Sequence, residues 1–229
     1  MNRWLPRPRF LRRDALVIGA ACTLVWLLSL AFEQDKPPAF DEAVLTWLGE
    51  HLRGPIGDAL LQVYRLSGVG FTAVLVLAAL IFLVLRRRWN DLRLLVMASG
   101  GILAVIDLWL KPWFDRARPH EKLLDVDGRS FPSGHAAGSV AFYFAMVLIL
   151  SAPRPQRQRP LTLLACAWVA LVWLSTLYAR AHWPSDLLAG GAVGAAWLTL
   201  CLAFWRPGRD LAGQAGSAAS AQPPSQPPA

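Results

Sequence analysis

Six apolar runs divide the chain, and charged residues collect in the segments between them. Each run is close to the roughly 20 residues with which an α-helix crosses a bilayer. The pattern therefore predicts an all-α integral membrane bundle of six transmembrane helices. The predicted spans cover residues 15–32, 68–85, 92–110, 136–152, 161–179 and 187–205.

The segment between the first two spans predicts one more element, a short amphipathic helix on the outer membrane surface. Pro37 and Pro38 break the chain at its start. Apolar side chains then recur at helical spacing, namely Phe40, Val44, Leu45, Leu48 and Leu52.

Both ends of the chain lie outside the bundle in this prediction. Residues 1–14 form a basic cytoplasmic amino terminus, and residues 206–229, rich in Ala, Ser, Gln and Pro, form a disordered cytoplasmic tail. A cleaved signal peptide is the competing interpretation of residues 15–32. Its apolar core is long for a signal peptide, however, and no clear small-x-small cleavage site follows it. Residues 15–205 therefore form one six-span domain.

Composition agrees with a membrane protein. The hydrophobic fraction is 55%, above the roughly 45–50% of ordinary soluble domains. The net charge of +8 lies in short clusters between the apolar runs, which is how loop charges orient spans, so we predict no nucleic-acid partner. Cys22, Cys166 and Cys201 all fall inside apolar runs without ligand-like spacing, so they indicate neither a disulfide nor a metal site.

The distribution of Lys and Arg over the loops predicts the orientation. The amino terminus, residues 86–93, residues 153–160 and the tail hold 14 of them, and the segments on the other side hold 9. Positive loops face the cytoplasm. We therefore expect a multi-pass protein of the inner (cytoplasmic) membrane, with both termini in the cytoplasm and residues 111–135 and 180–186 facing the periplasm or exterior.

Three polar islands on that outer side carry the candidate chemistry. They are residues 111–119, 131–135 and 181–186, and they contain lysine, arginine, serine and histidine. The second and third islands stand at the amino-terminal ends of predicted spans, where unpaired N–H groups bind anions. Ser133 and Ser185 have a simpler interpretation as helix caps, and Gly134 as a turn glycine.

The order and spacing of these islands resemble a known family. Lys111 is followed after six residues by Arg118 and Pro119, then comes Pro132-Ser133-Gly134-His135, and then His182 with Asp186 four residues later. On six spans, this arrangement resembles the type 2 phosphatidic acid phosphatases, integral-membrane lipid phosphatases that share their pocket with vanadium haloperoxidases. The resemblance covers residues 40–205.

The resemblance implies a role for each matching residue. Lys111 and Arg118 bind the substrate phosphate, Ser133 and Gly134 add donors, His135 is the general acid, and His182 is the nucleophile, oriented by Asp186. Physical chemistry agrees with these roles, because an imidazole held by a carboxylate can attack phosphorus, a second histidine can protonate the departing oxygen, and fixed cations stabilise the charge.

One residue departs from the family pattern. Members usually carry Ser-Arg separated by five residues from the nucleophilic histidine, but this chain has Ser175-Thr176 there, and Arg180 stands where a small residue is usual. We predict that Arg180 reaches back along its helix and makes the phosphate contact that Thr176 cannot make. The alternative is that Arg180 merely occupies the interface at a helix carboxyl end.

Other charged residues have weaker signals. Asp107 lies one helical turn before Lys111, where it either holds that lysine in place or has a purely structural role. The remaining charged residues of 115–129, Arg116 among them, predict a solvated loop. One or two of these side chains could contact a lipid headgroup.

The sequence therefore predicts a membrane phosphatase that hydrolyses lipid phosphate monoesters or diphosphates through a phosphohistidine, with no cofactor or metal. The candidate substrates are phosphatidic acid, phosphatidylglycerol phosphate and polyprenyl diphosphate. Two alternatives stay open, namely a lipid phosphotransferase with the same intermediate and a catalytically inactive lipid-binding relative.

Overall fold

The regular elements of the protein are helices, in agreement with the predicted fold class. The computed structural model describes residues 7–32 and 36–220, with side chains as far as Asp210. The helices of these ranges are α1 (Arg12–Leu30), α2 (Ala39–His51), α3 (Pro55–Leu66), α4 (Val69–Leu85), α5 (Trp89–Phe114), α6 (Gly134–Ser151), α7 (Gln158–Tyr178) and α8 (Pro184–Ser220).

Most of these helices are long and apolar enough to cross a membrane. Five of them, α1, α5, α6, α7 and α8, meet this condition alone. The 17-residue α4 follows α3 at a bend of 49°, and the two together make a sixth candidate span. The described part of the chain is thus a multi-pass membrane bundle of five or six spans.

Two helices, rather than the one predicted, occupy the segment between the first two spans. Gly54 has φ of 72°, a left-handed conformation that glycine adopts without strain, and Pro55 then starts α3. Both helices pack against α7, and α2 also packs against α8. Leu45 and Leu48 of α2 are buried in these contacts. The predicted short amphipathic helix is therefore α2, whose buried apolar side chains pack on the bundle, and α3 is an additional helix in this segment.

Helix α8 packs closely against its neighbours through glycines. A Cβ atom at Gly194 would lie 2.5 Å from the backbone oxygen of Ala137 in α6, and one at Gly191 would lie 2.4 Å from the ring of Trp173 in α7. Both distances are too short for any side chain. These small residues therefore let α8 approach α6 and α7 closely.

The same helix continues past its predicted end at residue 205. The Arg206 guanidinium donates to Asp14 of α1 at 2.9 Å, and Asn90 of α5 donates to the Trp205 carbonyl at 3.0 Å. These contacts hold the chain in helical conformation beyond the apolar run. Helix α8 thus includes residues 206–220, for which the sequence predicted disorder, and residues 221–229 lie outside the described part.

Helix α5 contains two π-helical segments, Met97–Gly101 and Val105–Leu110. At the first segment, the Trp197 indole of α8 donates to the Met97 carbonyl at 2.7 Å. Ile102, between the two segments, and Ile106, inside the second, pack on small residues of α6. Asp115 then turns the chain out of α5 with φ of 48°.

Candidate active site

Helices α6 and α8 begin side by side. The Ser133 N–H donates to the Asp186 carbonyl at 3.0 Å, which ties the two helix starts together. The Ser133 hydroxyl accepts from the Ala136 N–H at 3.3 Å, so Ser133 caps α6. A Cβ atom at Gly190 would lie 2.3 Å from the Ser133 carbonyl oxygen. The second and third polar islands thus meet at one end of the bundle.

His182 lies between a cation and a carboxylate. Its Nε2 is 3.1 Å from Nη1 of Arg118, and its Nδ1 is 3.4 Å from Oδ2 of Asp186. Because a guanidinium only donates, Nε2 must accept, so we assign the ring proton to Nδ1 on the side of the carboxylate. The lone pair of Nε2 is then available on the side of Arg118, as a nucleophile requires.

The two cations of the first island are each held in place. Arg118 donates to the carbonyls of Asp127, Gly128 and Ala181, at 3.1, 3.1 and 2.6 Å. Lys111 pairs with Asp107 at 2.7 Å, so Asp107 makes the contact that was one of its two predicted roles. Because the donors are fixed before any anion arrives, little reorganisation accompanies binding.

Gly134 leaves open space beside Lys111. A Cβ atom built on Gly134 would lie 3.8 Å from the Lys111 Nζ. A methyl group would be in ordinary contact with the ammonium group, and a longer side chain would fill the space beside it. The glycine keeps the start of α6 accessible to an anion that also contacts Lys111.

His135 faces His182 across the site. The two ring centroids are 6.3 Å apart, and the His135 ring stacks on Tyr64 of α3 at 5.1 Å. Its buried Nε2 has no hydrogen-bond partner within the described residues. Tyr64 could not be predicted from the sequence, because an aromatic residue on an amphipathic helix carries no signal of this contact.

A cavity of about 530 Å³ opens onto both histidines. Lys111, Arg118, His135 and His182 line its polar end. Apolar side chains of α4, such as Val76, Leu77 and Leu80, line much of the remainder. A ligand with an anionic head and an apolar body fits this division.

Burial sets the charge state of His182. It lowers the pKa of His182 below the ordinary histidine value, and the hydrogen bonding and charge of Asp186 offset only part of this effect. His182 is therefore a neutral imidazole near pH 7. Within the described residues, no group of three or more His, Cys, Asp or Glu side chains is placed to hold a metal ion.

Arg180 does not reach the site, contrary to the prediction. Helix α7 ends at Tyr178, and Arg180 takes a left-handed conformation with φ of 52°. Its side chain forms an ion pair with Glu121 of the exposed loop and passes near Gly49. Thr176 donates to the Val172 carbonyl at 2.8 Å. Since the helix stops before Arg180, its side chain cannot lean back toward Thr176, and Pro184 disfavours helical conformation at Trp183 as well.

Arg116 is buried, although the sequence analysis predicted it in a solvated loop. It is 2% exposed and pairs with Asp41 of α2 at 2.8 Å and with Asp186 at 2.7 Å. The sequence carried no signal of these contacts, because the two partners lie 75 and 70 residues away.

The structure thus brings seven of the eight predicted site residues to one end of the bundle and leaves Arg180 outside. The seven are Lys111, Arg118, Ser133, Gly134, His135, His182 and Asp186.

Known proteins share this architecture. The sequence model of the PAP2 superfamily matches residues 92–209. The chain is 30% identical over 114 residues to phosphatidylglycerophosphatase B of Bacillus subtilis (strain 168), an alignment that covers 48% of this chain and 55% of that relative. The chain therefore matches about half the length of this curated relative.

Two crystal structures have a similar fold. The first transmembrane PAP2 type phosphatidylglycerolphosphate phosphatase from Bacillus subtilis superposes with a TM-score of 0.72 at 23% identity, covering 83% of this chain and 96% of that one. Aquifex aeolicus LpxE superposes with a TM-score of 0.56 at 22% identity, covering 74% of this chain and 97% of that one.

Proposed function

The chain belongs to the PAP2 superfamily, and on this premise we propose that it is an integral membrane phosphatase of lipid phosphate monoesters or diphosphates, acting through a phosphohistidine. The observation that carries the proposal is the placement of His182, with a carboxylate beside Nδ1 and a cation beside Nε2, at the polar end of a largely apolar cavity. The predicted family membership is confirmed by the match to the family model.

The proposed reaction has two steps. In the first, Nε2 of His182 attacks phosphorus, the bond between phosphorus and the lipid oxygen breaks, and His135 gives a proton to that oxygen, which releases the lipid alcohol or lipid monophosphate. In the second step, a water molecule attacks the phosphorus of the phosphohistidine and passes a proton to His135. The bond between phosphorus and Nε2 breaks, its electron pair returns to Nε2, and inorganic phosphate is released. Arg118 and Lys111 stabilise the negative charge on the phosphoryl oxygens in both steps.

Among the candidate substrates, phosphatidylglycerol phosphate has the support of the relative that is named a phosphatidylglycerophosphatase. Phosphatidic acid and polyprenyl diphosphate present the same charged head and apolar body to the cavity. We propose that Lys111, Arg118, Ser133 and Gly134 bind the phosphate, and that Asp186 orients His182. Arg180 is not proposed as a contact, because its side chain binds Glu121.

Phosphate release by the purified full-length protein tests this proposal. The three lipids are each supplied in detergent micelles, with a chelator present, and His182→Ala is the inactive control. We expect release of inorganic phosphate from at least one lipid, and inhibition by vanadate, because the assigned charge-stabilising groups are protein cations. Transfer of phosphate to an added alcohol without release would indicate a phosphotransferase, and the absence of both product and phosphoenzyme would favour a lipid-binding protein.

We further propose that the active site faces the periplasm or exterior of an inner membrane, with both termini in the cytoplasm, as the positive-inside rule favours. In a chain whose three natural cysteines are replaced by alanine, a cysteine at Asp125 should react with an impermeant thiol reagent added outside intact cells. A cysteine at Gln156 should not react. The reverse pattern would place the active site in the cytoplasm.

A further inference from the structure

A buried network of polar and charged residues lies on the far side of Asp186 from His182. One terminal nitrogen of Arg116 donates at 2.7 Å to both Asp186 Oδ1 and the Ser185 hydroxyl, and the other donates to Asp41 Oδ2 at 2.8 Å. Asp41 also accepts from the Ser185 N–H at 2.9 Å and from the Ser185 hydroxyl at 2.5 Å. All four residues are at most 4% exposed. The network therefore joins α2 directly to the start of α8.

The two carboxylate oxygens of Asp186 have separate partners. Oδ1 accepts from Arg116, whereas Oδ2 accepts from the Trp183 N–H at 2.9 Å and lies 3.4 Å from Nδ1 of His182. The guanidinium of Arg116 is itself covered by the Phe32 ring, 4.3 Å from the ring centroid. Asp186 can therefore rotate only if Arg116 moves.

The charges of the network leave one negative charge in excess. Asp41 and Asp186 are acidic, and Arg116 is the single basic member. A pair of Arg116 and Asp186 alone would be neutral, so it would do little to stabilise a positive imidazole. With Asp41 present, the network holds the negative charge that an imidazolium at His182 needs.

The other charged and titratable groups around His182 are mostly positive. They are Arg118 of the loop, Lys111 of α5 with its partner Asp107, and His135 of α6. These cations suit an incoming phosphate, but they oppose the positive charge that the imidazole acquires when it attacks phosphorus. The compensating charge must therefore come from the side of Asp186.

We propose that Asp41 is a positioning residue of the active site, which fixes Arg116 and Ser185 so that Asp186 keeps both its orientation and an uncompensated negative charge toward His182. The inference rests on the proposed function. It assigns a role in the reaction to α2, which lies outside the 92–209 segment matched by the family. Asp41 acts through Arg116 and Asp186 and does not itself line the cavity.

The test compares Asp41→Asn with Glu42→Gln, which removes one charge from the exposed neighbouring position of the same helix. With phosphatidic acid as substrate, we expect Asp41→Asn to lower kcat by about 10- to 100-fold, the range typical of groups that orient a ligating or catalytic side chain. KM should change less than about threefold, since Asp41 touches no substrate. Glu42→Gln should behave as wild type. Unchanged kcat in Asp41→Asn would overturn the proposal.

The pH profile separates this role from simple loss of packing. Removing the negative charge disfavours the imidazolium, so the acid limb of kcat/KM should move to lower pH in Asp41→Asn. A loosened site that lets water reach His182 would move the limb to higher pH, toward the ordinary histidine value. A limb that is unchanged or moved upward would therefore contradict the proposal.

The double variant Asp41→Asn, Arg116→Gln replaces one acidic and one basic side chain of the network by neutral amides. Only Asp186 is then charged, so the network again carries one excess negative charge, as in the wild type. We expect its acid limb to return to the wild-type position and its loss of kcat to be smaller than the product of the two single losses. If Asp41→Asn alone does not fold, recovery of folding and of the acid limb in the double variant supports the proposal. Single losses of kcat that multiply in the double variant, or an acid limb that stays where Asp41→Asn puts it, would overturn the proposal.

Titration of His182 by NMR in protein labelled with 15N-histidine decides the proposal without turnover. The signal is assigned with His182→Gln, and its pKa should fall in Asp41→Asn and return in the double variant. If the wild type releases no phosphate from any lipid, the proposed function fails, and this titration still shows whether Asp41 supplies the charge. An unchanged His182 titration in Asp41→Asn would refute the inference even with an active enzyme.

Discussion

Asp186→Asn removes the charge beside the nucleophile while keeping the shape of the side chain. In the proposed reaction, His182 becomes positive as it attacks phosphorus, and Asp186 Oδ2 lies 3.4 Å from Nδ1. At an effective dielectric constant of about 20, unit charges at this distance interact by about 5 kcal/mol. Since about 1.4 kcal/mol corresponds to a tenfold change in rate, the loss should be on the order of 10³-fold.

The loss should appear in kcat rather than in KM, because Asp186 does not line the cavity. Initial rates of phosphate release at saturating lipid, together with phosphoenzyme trapped by rapid quenching, measure the first step directly. Asp125→Asn, which removes a charge from the exposed loop, is the control. Thermal unfolding of each variant shows whether the bundle is intact.

The reasoning would be refuted by a folded Asp186→Asn protein that loses less than tenfold in kcat. It would also be refuted if Asp125→Asn lost as much, because the effect would then be a general response to surface charge. A loss confined to KM would move Asp186 from the orientation of His182 to the binding of substrate.

Three other predictions follow from the geometry. Gly190→Ala should destabilise the protein by about 1–3 kcal/mol and lower turnover, because its Cβ would lie 2.3 Å from the Ser133 carbonyl oxygen. Gly70→Ala is the control, since Gly70 has open space around it and its replacement should not destabilise the protein. Equal thermal unfolding of the two variants would contradict the close packing at Gly190. Arg180→Gly should keep turnover within about threefold of the wild type and leave the stability of the protein unchanged. An exposed ion pair contributes about 0–1 kcal/mol, and glycine suits the left-handed backbone at this position. A hundredfold loss of turnover would show that Arg180 does contribute to the site. Burial lowers the pKa of His182, and attack on phosphorus needs the neutral ring. After correction for the ionisation of the substrate, kcat/KM should therefore stay constant as pH falls from 7 and decrease only below about 6.5, the ordinary pKa of histidine. A decrease that begins above this pH would contradict a neutral nucleophile.

The membrane bundle could be predicted because hydrophobic length is a local signal. Each long apolar run became one helix, and the three polar islands met because α5, α6, α7 and α8 alternate in direction and bring their ends together. The motif spacing predicted His182, Arg118 and Lys111 as neighbours, and the three line one cavity. Local patterns were sufficient wherever a helix end decided the position of a side chain.

Contacts between distant segments were not visible in the sequence. Arg116 resembles any charged loop residue until α2 brings Asp41 to it, and nothing in residues 39–51 marks that carboxylate as buried. The structure differs from the prediction for Arg180 for another reason. The residue at which α7 ends decides the direction of the Arg180 side chain, and the sequence does not determine that end. Composition alone predicts disorder from Arg206 onward, because the ion pair of Arg206 with Asp14 joins residues 192 positions apart and leaves no local signal.

The π-helical segments of α5 let the helix hold extra residues without changing the direction in which Lys111 points. Each residue of an α-helix turns the chain by about 100°. A π turn takes one residue more than an α turn, so deleting one residue from Met97–Gly101 would let the segment relax to an α turn and leave Lys111 beside Gly134. A deletion in an α-helical part of α5 would instead rotate the lysine by roughly that angle, so the position of a gap in this helix decides whether the site is kept.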